Sequence, residues 1–259
     1  FFLRTVQSKN KQLAASNTLI TQKGQMMEDL NNTKNKFFSI IAHDLKAPLN
    51  SLSGFSNLII NHIEHLSKDE IKMMATDLDK SVRNLYDLLN NLLTWARSQM
   101  NTIEFKPQNL DVEMLFTELV DLVQLNAQTK NIQIVVNIAP QTLIYADENA
   151  VKTILRNLAS NALKFTPEGG KITLTARNYS EKFVQIAVND TGVGMDEETM
   201  GKIFRIDSKH STRGTQGETG TGLGLLLCKE FVEKNGGTLQ VDSILEVGTT
   251  FKILLPVGI

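Results

Sequence analysis

His43 is followed directly by Asp44, and the helix-breaking Pro48 stands five residues on. A carboxylate beside an imidazole can accept a hydrogen bond from one ring nitrogen. That fixes the tautomer and leaves the other nitrogen as a nucleophile. A histidine on a helix surface is more often only a polar residue, which is the reading given to His62 and His65. Asn157 and Asn161 are four apart and share a helix face. Two neutral oxygen donors there suit Mg2+, which keeps several waters and shares phosphate ligands. Two ordinary surface amides are the plainer alternative. Lys164, three residues further, reaches a phosphate as a point charge. Asp190-Thr191-Gly192-Val193-Gly194 follows a strand-like run. An acid there can accept from an exocyclic amine, and the glycines let backbone approach a flat ring. Gly220-Thr221-Gly222-Leu223-Gly224 opens a helix, where exposed N–H groups make a phosphate site. One glycine-rich turn is weak evidence alone. The polar stretch before it, Ser208 to Gly220, is too long for a simple connection.

Those residues need elements to hold them. Phe38, Ile41, Leu45, Pro48, Leu52, Phe55 and Ile59 recur three and four apart, which predicts one helix over 34–61, kinked at Pro48. His43 then points roughly 170° from the apolar stripe, toward water. Ser67 and Glu70 form a capping box for a second helix, with its stripe at Ile71, Met74, Leu78, Val82, Leu85, Leu89, Leu92 and Ala96. One helical hairpin buries only part of such stripes. Two copies bury the rest as a four-helix bundle, so a homodimer is expected. Upstream, Val6, Leu13, Ile20 and Met27 make a thin heptad seam, weakened by Asn10, Asn17, Gly24 and Asn31. It reads as a signalling helix or as a plain surface helix.

Beyond Pro107 the pattern turns to mixed α and β. Helices are predicted at 111–128, 147–165 and 223–234. Strands are predicted at 132–138, 171–177, 183–189, 238–243 and 249–255. A sheet with helices on one face, an α+β two-layer sandwich, is the natural packing. The chain is thus multidomain: residues 1–32 a linker helix, 33–101 an all-α hairpin, 102–259 the sandwich.

Net charge is −1 and nothing in the balance points to nucleic acid. Cys228 is the one cysteine, so no internal disulfide forms, which fits a reducing compartment. No apolar run is long enough to span a bilayer. Phe1-Phe2-Leu3-Arg4 reads either as the inner end of a membrane span or as an ordinary helix start.

The run Phe38-Ser39-Ile40-Ile41-Ala42-His43-Asp44-Leu45-Lys46-Ala47-Pro48-Leu49 resembles the phosphoacceptor box of sensor histidine kinases. Asn157 through Thr166 resembles their N box, with Asn161, often joined by Asn157, holding Mg2+ and Lys164 touching phosphate; Phe165 lies in the same string. Asp190 to Met195 resembles the G1 box, whose Asp reads the adenine amino group, with Gly192 and Gly194 beside it. Gly220, Thr221, Gly222, Leu223 and Gly224 resemble the G2 box, and the stretch before it the ATP lid. Gly248-Thr249-Thr250-Phe251 resembles the closing strand, which makes Thr249 a candidate. Lys202-Ile203-Phe204-Arg205 resembles a shortened F box, and Arg205 matches its phosphate-contacting Arg only if the gap falls before Phe204.

The resemblance covers residues 30–257 and implies a Bergerat-type ATP fold. It further implies autophosphorylation of His43 with Asp44 assisting, ATP and Mg2+ as ligands, and transfer to an Asp of a response-regulator receiver domain. A sensor domain is expected upstream in a full-length chain anchored in the bacterial inner membrane, with this part cytoplasmic. One departure is Ala47, where many members carry Thr or Asn four residues after the His to orient water. A methyl group makes no hydrogen bond, so regulator phosphatase activity is expected to be weak or to use another residue, with Asn50 a poor substitute. The alternative is a dimeric ATP-binding pseudokinase that signals by shape alone; His43-Asp44 and both asparagines count against it.

Overall fold

Helical periodicity and caps, not composition, decide most of this chain. The computed structural model describes residues 2, 17, 20, 21, 23–25, 27, 28, 41, 42, 45, 46, 48–99, 104–204, 213–218 and 222–258. The chain divides into two compact units, Phe1–Ala47 and Pro48–Ile259. In the first, every described residue is helical, and the seam positions Ile20 and Met27 are exposed. Val6, Leu13, His43, Asp44 and Ala47 lie outside the described residues.

The second unit opens with two helices, α1 (residues 48–62) and α2 (Lys68–Gln99). The capping box between them forms as expected. Ser67 N donates to Glu70 Oε2 at 2.8 Å, and Glu70 N donates to Ser67 Oγ at 3.2 Å. The Ser67 N–H and the Ser67 hydroxyl, both donating to Glu70 Oε2 at 2.8 Å, hold that carboxyl below its ordinary pKa. Within one chain the α2 stripe stays partly open: Val82 and Leu89 are exposed, while Leu78, Leu85 and Leu92 are half-buried.

The α/β part follows in the order β1 (Pro107–Asp111), α3 (Val112–Thr129), β2 (Gln133–Ile138), β3 (Leu143–Asp147), α4 (Glu148–Phe165), β4 (Lys171–Asn178), β5 (Phe183–Asp190), α5 (Glu197–Met200), α6 (Gly224–Lys234), β6 (Thr238–Ile244) and β7 (Gly248–Pro256). Five strands form a mixed sheet, β2-β4-β5-β7-β6, in which β2 and β4 run parallel and the other neighbours antiparallel. The alternation Ile172, Leu174, Ala176 on β4, Val184, Ile186, Val188 on β5 and Phe251, Ile253, Leu255 on β7 buries one face. Helices α3, α4 and α6 cover it with Phe116, Ile154, Leu158, Leu227 and Phe231. Each such large side chain contributes about 1.5–3 kcal/mol by leaving water.

The sequence did not predict β1 and β3, which pair antiparallel with Leu110 opposite Ile144. They set the start of α4. Asp147, the last residue of β3, caps that helix by accepting from Ala150 N at 2.9 Å. It also accepts from Lys106 N, and its own N–H donates to Asn235 Oδ1 at 2.7 Å. Thus α4 is fixed to the end of α6. Among the described residues no helix is long and apolar enough to cross a membrane.

Candidate nucleotide site

Helix α4 buries Val151, Ile154, Leu155, Leu158 and Ala162 and leaves Asn157, Asn161 and Lys164 half-buried along another edge. Among the described residues neither Asn157 nor Asn161 has a side-chain hydrogen-bond partner. Gly224, first residue of α6, faces Asn157: a Cβ added there would lie 3.0 Å from Asn157 Oδ1. Two half-buried amides four residues apart, one of them against a glycine backbone, make a small polar edge. Among the described residues no group of three His, Cys, Asp or Glu forms a metal cluster. The oxygen donors at this edge are neutral, which fits a cation whose remaining ligands are water and phosphate.

Asp190 ends β5 and is almost fully buried. Its Oδ1 accepts from Gly192 N at 2.9 Å and Thr249 N at 3.3 Å, and neither bond uses Oδ2. Burial pushes the carboxyl up to about 6, against those two hydrogen bonds, which pull it down. A desolvated carboxylate oriented by two amides is a directional acceptor for an amine. The loop after it is tightly tied. A Cβ at Gly192 would lie 2.5 Å from Phe165 O, and one at Gly194 would overlap the carbonyl of Ile244, with φ +65° besides. Val193 N donates to Phe165 O at 3.1 Å, so Phe165 enters the site through its carbonyl. The Lys164 ammonium lies 4.5 Å over the Phe165 ring. Desolvation lowers the Lys164 pKa, partly offset by Glu218.

The structure therefore brings together the edge of α4, the loop Asp190–Gly194, Thr249 and the turn at Gly222, Leu223 and Gly224. Arg205, Gly220 and Thr221 lie outside the described residues. Two groups escaped the sequence. Ser243 accepts from Met195 N at 2.8 Å and donates to Gly248 O at 3.0 Å, which ties the β6–β7 turn to the loop after Asp190. A serine in an alternating strand reads as a solvent-side residue, so nothing local marks it. Lys130, at the end of α3, is buried and bonded to the segment before Gly222. A lone basic residue after a helix carries no such signal.

A nucleotide-type α/β domain following a long helical hairpin is the class that this fold and site define. Two family models match the chain in order: the His Kinase A (phospho-acceptor) domain over residues 33–101, and the "histidine kinase-, DNA gyrase B-, and HSP90-like ATPase" over residues 146–259. The chain belongs to the histidine kinases. Histidine protein kinase DivJ of Caulobacter vibrioides is 33% identical over 223 residues, which is 86% of this chain and 37% of that protein. Full-length ShkA in complex with AMPPNP superposes with a TM-score of 0.61 at 28% identity, over 86% of this chain and 46% of that one. Histidine kinase ThkA in complex with response regulator TrrA shares the fold, with TM-score 0.65 and 21% identity over 88% of this chain and 63% of that one. The chain spans less than two thirds of the length of the curated relatives it matches.

Proposed function

We propose that this chain autophosphorylates on His43 with ATP and passes the phosphoryl group to an aspartate of a response-regulator receiver domain. The observation that carries the reading is the Asp190 carboxylate. It is buried and oriented through Oδ1, with Oδ2 left for an adenine amine. A ring nitrogen of His43 attacks the γ-phosphorus, the bond to the bridging oxygen breaks, and ADP leaves with the electron pair. Asp44 orients the imidazole and stabilises its positive charge as it forms. Lys164 and the N–H groups of the Gly220–Gly224 turn hold phosphate, with Arg205 as a further contact and Thr249 and Phe165 shaping the adenine end. Asn161 and Asn157 would hold Mg2+, which when bound neutralises phosphate charge.

The open α2 stripe supports a homodimer, since a second hairpin would cover Val82 and Leu89. The matched phospho-acceptor region supports the division into residues 1–32, 33–101 and 102–259. The histidine-kinase family is the ground for the further reading of an upstream sensor domain and a membrane-anchored full-length protein with this part in the cytoplasm. The test is incubation with γ-labelled ATP and Mg2+. Acid-labile, alkali-stable label is expected on the parent chain and absent from His43→Ala and Asn161→Ala. Label that survives in His43→Ala refutes the assignment.

A further inference from the structure

A buried lysine is costly unless its ammonium is fully bonded. Lys130 is 6% exposed, yet its Nζ donates to Leu163 O at 2.7 Å, Thr215 Oγ1 at 2.7 Å and Glu218 Oε1 at 3.0 Å, with Lys164 O at 3.4 Å. The first and last acceptors are the C-terminal carbonyls of α4. The other two belong to the loop 213–218. One ammonium therefore bonds that loop to the end of the helix bearing Asn157, Asn161 and Lys164.

The loop is shaped around this contact. Gly214 N donates to Glu218 O at 2.8 Å and closes a tight ring. Gln216 N donates to the other carboxylate oxygen of Glu218 at 2.8 Å. Thr215 N donates to Lys164 O at 3.0 Å, and its hydroxyl to Thr166 O at 3.1 Å. Gly214 has no room for a side chain, because a Cβ would lie 2.5 Å from Lys164 Cγ and would overlap Glu218 Oε2. So the loop lies against the aliphatic stem of Lys164. Gly222 follows Glu218 by four residues, and Gly224 meets Asn157. Leu163 and Asn157 are less than two helical turns apart, about 9 Å along the axis. The loop 213–218 and Gly224 thus meet α4 at two places along its length.

We propose that Lys130 and Glu218 form a latch that positions Lys164 and the Gly222–Gly224 turn for the phosphates of the nucleotide. The inference rests on the nucleotide reading above and adds two positioning residues to it. Lys130 holds the loop in place, and Lys164, pressed by that loop, meets the ligand. Burial raises the Glu218 carboxyl, but hydrogen bonds from the Glu218 and Gln216 N–H groups and the ion pair with Lys130 outweigh it, so Glu218 stays ionised and bonded at neutral pH.

The experiment is calorimetric binding of Mg-ATP and of adenosine to the intact chain and to Glu218→Ala, Lys130→Met and the double variant, with thermal unfolding of each. Glu218→Ala is expected to weaken ATP about tenfold, the scale of one charge-assisted hydrogen bond. Adenosine binding should change less than twofold. The double variant should lose no more ATP affinity than Lys130→Met alone, because both remove the same latch. Equal losses for ATP and adenosine, or an ATP affinity within twofold of the parent in folded Glu218→Ala, overturn the latch. If Lys130→Met does not fold, Glu218→Ala decides alone. A parent chain that binds neither ligand refutes the nucleotide reading itself, which separates the two failures.

Discussion

Asp190 titrates near 6 because burial penalises its charge, while an unfolded chain would titrate it at 3.8. Between those values the folded protein binds more protons than the unfolded one. The stability this group contributes is therefore complete below about 3.8 and is lost as pH rises through about 6. Asp190→Asn keeps an oxygen for Gly192 N and Thr249 N but turns an N–H toward the amine. At pH 7 it is expected to raise the unfolding free energy by about 1–3 kcal/mol and to weaken ATP binding about a hundredfold. Denaturant titration from pH 7 to 4 should show the stability gain shrinking to nothing. A gain that grows toward acid would contradict the burial argument. Asp190 was legible in the sequence because an acid ending a strand before two glycines is a local pattern. Its raised pKa was not, since the desolvating groups come from other elements.

The periodic helices α3, α4 and α6 were readable because each shows its buried face in its own spacing. Strands β1 and β3 were not, because β1 opens with Pro107 and buries only Leu110, while β3 runs straight into α4. Their pairing comes from a partner more than thirty residues away. The β6–β7 turn is the same case: Glu246 N donates to Val193 O at 2.7 Å, and Ser243 reaches Met195 across 48 residues. Removing that hydroxyl takes the acceptor from Met195 N and one donor from Gly248 O. Ser243→Ala is therefore expected to cost about 1 kcal/mol of stability and to weaken ATP about fivefold through the loosened loop. Unfolding and binding measured on the same preparation check both. A stability loss with unchanged affinity would make the tie structural only.

At the scale of the molecule, the proposed phosphoryl transfer asks for an in-line approach of nucleotide and nucleophile, and on that reading the nucleotide domain must be able to leave any resting contact with the helices. One such contact stands between α2 and α6. Ser98 is fully buried, and its hydroxyl donates to Glu230. Lys234 Nζ donates to Ser98 O at 2.6 Å and Oγ at 2.7 Å, and pairs with Glu230 at 3.4 Å. Phe105 meets Phe231 edge-on at 6.0 Å and lies 5.8 Å from the Lys234 ammonium. Beside these residues a cavity of about 100 Å³ is lined by Thr94, Phe105, Asn149, Thr153 and Phe231. The junction is thus a buried polar cluster beside an open pocket, an arrangement that holds one geometry through a few side chains. Lys234→Met removes the cation that bridges the two helices without touching the nucleotide site. Amide exchange over residues 94–98 is expected to accelerate, and kcat for autophosphorylation to rise about threefold with KM for ATP unchanged. Faster exchange with an unchanged or lower kcat would show that the contact does not restrain the reaction, and that the reorienting motion pivots elsewhere.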